Sequence, residues 1–183
     1  MPALETPKAD IGWKAPDFSL PGVDGKTYSL KDVKGKNGLV VMFICNHCPF
    51  VKAITTKLVR DMKELAGLGI GSIAISANDT VEYPEDSFEN MKKFAAENNF
   101  PFPYVIDETQ KVAQEYGAVC TPDFFGFDKD LRLQYRGRLD DSGMQNKPGG
   151  NRDLFNAMAE VAKTGRAPDK QYNSIGCNIK WRA

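Results

Sequence analysis

The stretch LVVMFICNHCPFV, residues 39–51, constrains this chain more than any other. Leu39 to Ile44 is an unbroken apolar run with the length of a strand buried on both faces. Cys45-Asn46-His47-Cys48-Pro49 follows at once. Thiols three residues apart at the mouth of a helix share one face and come within reach of a disulfide. Unpaired N–H groups and the helix dipole favour an anion there. The first thiol, Cys45, is therefore expected to ionise below the free-cysteine value of about 8.5. A low-pKa thiolate beside a second thiol is what thiol–disulfide exchange requires.

Composition limits the setting. Basic and acidic residues balance at 24 each, so no net field selects nucleic acid or a lipid surface as partner. The 183 residues suit one domain, 1–183, with an N-terminal arm (1–10) and a C-terminal tail (165–183). The opening MPALETPKAD lacks an apolar run behind a basic one, and no segment approaches the roughly 18 apolar residues of a membrane helix. The expectation is a cytoplasmic chain without a membrane partner. Four cysteines in a reducing compartment point to catalytic or metal use in place of a structural framework.

Along the chain, Asp24-Gly25 between short alternating segments predicts a β-hairpin packed through Phe18, Leu20, Tyr28 and Leu30. After Pro49, one amphipathic helix is expected through Val51, Ile54, Leu58, Met62 and Leu65, stopped at Gly67 and Gly69. Ile70–Ser76 reads as a second buried strand, parallel to the first because a helix intervenes. Asp86, with Glu89 three residues on, is expected to cap the next helix. A strand over 102–107, a short helix ending at Gly117, a hairpin turning at 128–130 and a last helix through Leu154, Phe155, Met158 and Val161 complete the pattern. Residues 165–183 show no periodicity. Helices alternating with buried strands give an α/β fold with a layered sheet, and the cysteine pair falls at the C-terminal end of a central strand, where such sheets place their sites.

A second part of the site is Cys120-Thr121-Pro122, where the proline is a candidate for a cis peptide. Taken together, the C-x-x-C closing a buried strand, the later Thr-Pro and the terminal hairpin and helix resemble the thioredoxin fold, a central mixed sheet flanked by helices, here with an N-terminal β-hairpin extension. The opening APDFSLPGVDGKTYSLKDVKGK is similar to the redoxins related to the alkyl hydroperoxide reductase and thiol-specific antioxidant proteins. CNHCPFV, ISANDTVEYPEDSFENM and RGRLDD resemble a peroxiredoxin-like subgroup of them. The resemblance implies an exposed nucleophilic Cys45 and a buried resolving Cys48, with Asn46 and His47 between them. It implies that Pro122 presses on the pair and leaves the backbone of Thr121 free to hold a substrate as an added strand. A histidine before the second cysteine implies a stabilised thiolate and a potential above the roughly −270 mV of thioredoxin, about −230 to −150 mV.

The chain also departs from its relatives. The residue three before the reactive thiol is Met42 or Cys45, so no hydroxyl there orients a peroxide, and no arginine replaces Pro122. Val51 stands where a proton-shuttling Glu would be, and Leu39 where a buried Asp would be. Asp123 and Lys52 are left as candidates to accept the proton of Cys48.

The function implied is a dithiol–disulfide oxidoreductase acting on a disulfide-bearing protein or small thiol, without cofactor, recycled by a reductase. Peroxiredoxin-like reduction of hydroperoxides is the alternative. Metal binding or copper delivery is the non-enzymatic one, weakened because zinc takes four ligands and His47 is the only histidine. Cys120 and Cys177 stand as auxiliary thiols, each equally readable as packed and inert. The acidic loop Asp79, Glu82, Glu85, Asp86 and the pair Asp140-Asp141 are expected to be solvated, and Phe124, Phe125 and Phe127 to be core. Self-association into a homodimer is left open.

Overall fold

The structure, a computed structural model, describes residues 3–143 and 150–183. Its centre is β4 (Gly38–Phe43), flanked by the parallel β5 (Ile70–Ser76) and the antiparallel β8 (Asp123–Asp128). β6 (Tyr104–Ile106) and β9 (Leu133–Gly137) extend the two sides, giving the order β6-β5-β4-β8-β9. Side chains of β4 alternate between two cores. Val40 and Met42, with Ile44 just past the strand, pack with Leu58, Met62 and Leu65 of α3 (Thr55–Ala66) and with Leu154 and Met158 of α6 (Asp153–Thr164). Leu39, Val41 and Phe43 meet Val112 and Tyr116 of α5 (Lys111–Tyr116) together with Phe125 and Phe127. Each fully buried side chain of this kind contributes about 1.5–3 kcal/mol of transfer free energy, which is why an uninterrupted apolar run sits at the sheet centre. The expected mixed sheet flanked by helices is present, and the three phenylalanines are core.

The N-terminal hairpin forms as expected. β2 (Leu20–Pro21) pairs with β3 (Thr27–Tyr28), and Gly22 N–H donates to Lys26 O across the turn. α1 (Leu30–Val33) follows. No helix among the described residues is long and apolar enough to cross a membrane.

Four expectations are corrected. The helix after Pro49 is two helices, α2 (Pro49–Lys52) and α3, broken at Ile54. Thr55 Oγ1 donates to Val51 O at 2.8 Å, a bond back to the preceding turn that bends a helix. Asp86 does not cap α4 (Phe88–Glu97): Ser87 does, its Oγ accepting from Asn90 N–H, while Asp86 ends a 3₁₀ turn, Pro84–Asp86, and turns inward. Nor are the carboxylates of Asp79, Asp86 and Asp140 solvated; all three are buried. Lastly, the arm and the tail are not irregular. β1 (Ala3–Glu5), β10 (Ile175–Asn178) and β7 (Cys120–Thr121) form a separate antiparallel sheet in the order β1-β10-β7. The polar, glycine-rich composition of residues 140–151 predicts a loop, which lies partly outside the described residues, at 144–149.

Candidate active site

β4 ends at Phe43, and the chain carries Cys45 and Cys48 from the end of this central strand into the start of α2. The helix begins one residue after Cys48. Proline is preferred at the first helical position, and Pro49 occupies it, so Cys48 is the N-cap. Cys45 lies three residues earlier, outside the helix. The expectation that the first thiol occupies the helix mouth is therefore wrong, and the Cys-Pro dipeptide was the signal that could have placed it on the second.

The electrostatics follow the geometry. The Cys48 thiol is lowered to about 4, first by the hydrogen bond from Cys45, then by Thr121, Cys177 and the Val51 backbone, against the opposing effect of burial. Cys45 moves the other way, well above an ordinary thiol: Cys48 takes its hydrogen bond, burial disfavours its anion, and the carboxylate of Asp86 adds repulsion. The two sulfurs titrate as a coupled pair, and these effects favour the anion on Cys48 over Cys45. Both residues are almost fully covered, Cys45 at 1% and Cys48 at 0% exposure, so the expected exposed Cys45 is not found.

Thr121 bridges the pair. Its Oγ1 lies 3.5 Å from Cys45 Sγ, and its carbonyl oxygen lies 3.4 Å from Cys48 Sγ, a bond the thiol form donates. The Thr121–Pro122 peptide is cis, as expected. The hydroxyl missing upstream of the pair is thus supplied from another element. The backbone of Thr121 is not free for an added strand, however, because Cys177 of β10 is paired opposite it. Gly176 makes this approach feasible: a Cβ there would lie 1.9 Å from Thr121 O.

On the other side, Asn46 and His47 are held by Asp86, which sequence reasoning missed as a site residue. Asp86 Oδ1 accepts from Asn46 N–H at 2.8 Å and Oδ2 from Asn78 Nδ2 at 2.9 Å. His47 Nδ1 approaches the same Oδ2 to 2.6 Å, although its N–H direction falls outside hydrogen-bond geometry, and its ring lies parallel to Tyr83. Tyr104 Oη donates to Asn46 Oδ1 at 2.8 Å, and burial raises this phenol well above its usual range, so it remains a donor. His47 therefore faces Asp86 and Tyr83, and the groups lowering Cys48 are other ones. Cys45, His47 and Asp86 offer donor atoms within 4.8 Å of one another, three against the four that a structural zinc takes.

Of the proton-acceptor candidates, Asp123 is committed to Arg136, which donates from Nη2 at 2.8 Å and Nε at 3.2 Å. Lys52 is exposed at the end of α2. Cys120 pairs with Asn178 one register position from Cys177, so it faces the opposite side of the small sheet. Burial, with Asp123 nearby, pushes its thiol up to about 12. Cys177 is pushed to about 11 by burial and by its contact with Cys48.

The AhpC/TSA family profile matches residues 11–136. Thiol-disulfide oxidoreductase ResA of Bacillus thuringiensis is 32% identical over 129 residues, 69% of this chain and 68% of that protein. Peroxiredoxin Bcp of Escherichia coli is 29% identical over 112 residues, 61% and 67% of the two chains. Among solved structures, an uncharacterized conserved protein from Geobacillus kaustophilus superposes with a TM-score of 0.94 at 49% identity, covering 100% of this chain and 97% of that one. The thioredoxin domain of a thiol-disulfide oxidoreductase from Bacteroides vulgatus gives 0.65 at 20% identity, covering 84% and 99%, a likeness of fold. The chain belongs to the AhpC/TSA family and has the thioredoxin-like fold of the redoxins.

Proposed function

We propose that this chain is a thiol–disulfide oxidoreductase in which Cys48 is the nucleophile and Cys45 the resolving thiol. The observation that carries the reading is the placement of Cys48 at the N-cap of α2, with Thr121 touching both its sulfur and that of Cys45. The Cys48 thiolate attacks one sulfur of a substrate disulfide, forming a mixed disulfide and releasing the first thiol. Once the Cys48 sulfur is bonded, it no longer carries the charge that keeps the proton on Cys45. Cys45 then deprotonates, attacks Cys48 Sγ and releases the second thiol, leaving Cys45–Cys48 for an external thiol reductant to open. A cavity of about 180 Å³ lies beside α2, with Phe50, Ile54, Pro122 and Leu139 on its apolar wall and Arg138 and Asp140 among its polar groups, and offers a mixed apolar and polar seat for the substrate.

A second substrate class has its own support. The Thr121 hydroxyl beside Cys45 is placed to hold an oxygen near the pair, and the covered sulfurs favour a small oxidant. With a hydroperoxide, the Cys48 thiolate takes the terminal oxygen and becomes a sulfenic acid as alcohol or water leaves. Cys45 then displaces water to form the same disulfide. The test is the rate of thiol loss from reduced protein mixed with hydroxyethyl disulfide or with hydrogen peroxide. Cys48→Ser is expected to abolish both. A Cys48→Ser protein that oxidises its remaining thiols as fast as the unmodified chain would overturn the assignment. Thr121→Val is expected to slow the peroxide reaction more than the disulfide one, and equal effects would remove the second reading.

A further inference from the structure

We propose that Cys177 is a third redox thiol of this enzyme, an internal acceptor carried on β10, to which the disulfide formed at Cys45–Cys48 is passed before reduction. The proposal rests on the reading of Cys45 and Cys48 as the redox pair and extends it. β10 pairs with β7 in antiparallel register, with Cys177 directly opposite Thr121. Directly opposed residues project on the same face of a sheet, so Cys177 is aimed where Thr121 aims. Thr121 is the residue whose hydroxyl and carbonyl touch Cys45 and Cys48. α2 also packs on β10, and Cys45, Cys48 and Cys177 belong to one buried cluster. The chain's own last strand thus sits where an added strand would lie, and it carries a cysteine.

This strand is built to stay. Ser174 Oγ donates to Pro122 O at 2.7 Å, Thr6 N–H to Ser174 O at 3.0 Å, and Ile179 N–H to Val119 O at 3.2 Å. Beyond it, Lys180 N–H donates to Asn78 Oδ1 and Arg182 N–H to Gln110 Oε1. A strand fixed on both sides and at both ends suits a permanent part of the site better than a lid. It also lies nearest the solvent of the three thiols, Cys177 being 6% exposed against 1% and 0% for Cys45 and Cys48.

The transfer is an exchange without net oxidation. Cys177 loses its proton and attacks Cys48 Sγ; the Cys45–Cys48 bond breaks as the Cys48–Cys177 bond forms. Cys45 leaves as a thiolate and takes the proton that Cys177 gave up. An external dithiol then attacks the sulfur of Cys177, ends as its own disulfide, and restores the Cys48 thiolate and the Cys177 thiol. Cys120 takes no part.

The deciding experiment uses the full chain with Cys45→Ser, reduced, then treated with stoichiometric hydroxyethyl disulfide, quenched in acid and mapped by mass spectrometry. Cys48 is expected to gain the adduct and lose it to Cys177, leaving a Cys48–Cys177 crosslinked peptide. A persistent adduct on Cys48, with Cys177 still open to alkylation, overturns the proposal while leaving the redox pair intact. Absence of any adduct on Cys48 removes both. In the unmodified chain, poised across a dithiothreitol series, the Cys48–Cys177 peptide is expected alongside Cys45–Cys48, unchanged by Cys120→Ser; its absence at every potential overturns the proposal without need of a variant. Cys177→Ala is expected to slow re-reduction of the Cys45–Cys48 disulfide by dithiothreitol about tenfold. An unchanged rate counts against the transfer.

Discussion

Replacing Cys45 with alanine removes the group that contributes most to holding the Cys48 sulfur as an anion. A hydrogen bond to a charged partner contributes about 1.5–3 kcal/mol, and about 1.4 kcal/mol corresponds to one pKa unit. Losing it therefore moves the Cys48 midpoint from about 4 to about 5–6. The Thr121 side chain, the Cys177 thiol and the Val51 backbone remain and keep it below a free thiol. Thiolate ultraviolet absorbance of the reduced variant reads this directly, because Cys120 and Cys177, at about 12 and about 11, stay protonated through the neutral range. Cys45→Ser retains a hydroxyl donor and is expected to fall between the alanine variant and the parent. A midpoint unmoved by Cys45→Ala refutes the coupling of the two sulfurs. A midpoint at the free-thiol value refutes the contribution of the helix mouth.

Three further outcomes are expected. The lowered Cys48 value means that the folded state binds fewer protons at this site than the unfolded chain, so the stability it supplies is lost as pH falls through about 4. The difference in urea midpoint between the parent and Cys48→Ser should shrink accordingly from neutral pH downward. Arg136→Met strands the Asp123 carboxylate, 0% exposed, without its guanidinium, and urea unfolding should report a loss of about 3–5 kcal/mol, largely recovered when Asp123→Leu is added. Asp86→Ala leaves the Asn46 N–H and the Asn78 amide without their acceptor, a loss of about 1–3 kcal/mol for each buried donor left unsatisfied, with a slower thiol-oxidation rate that Asp86→Asn recovers only in part.

The parts of this molecule that were readable in its sequence are those whose signal is local. β4 announces itself by an apolar run, α3 by its stripe of Leu58, Met62 and Leu65, and the N-terminal hairpin by Asp24-Gly25. The cysteine pair and the cis Thr121–Pro122 peptide were likewise visible as short motifs. What escaped depends on partners distant in sequence. β1, β7 and β10 are two to four residues long, too short to show alternation, and they exist because they find one another across the chain. Cys177 comes to the site only through that register. Asp86 looked like a helix cap followed by a reciprocal Glu89; its burial under Asn46 and Asn78 is a tertiary fact. The position of the helix mouth was legible but misread, since a proline that must open a helix puts the cap on the residue before it.

The claim on which the account depends is that the reacting sulfur belongs to Cys48. Reduced Cys45→Ser and Cys48→Ser chains, each also carrying Cys177→Ser, should be exposed briefly to a chromogenic aryl disulfide at pH 5, where only a strongly acidified thiol is ionised. The account predicts rapid release of the aryl thiolate and an adduct on Cys48 in the first protein, with almost no reaction in the second. Rapid labelling of Cys45 in the second, with Cys48 inert in the first, would contradict it.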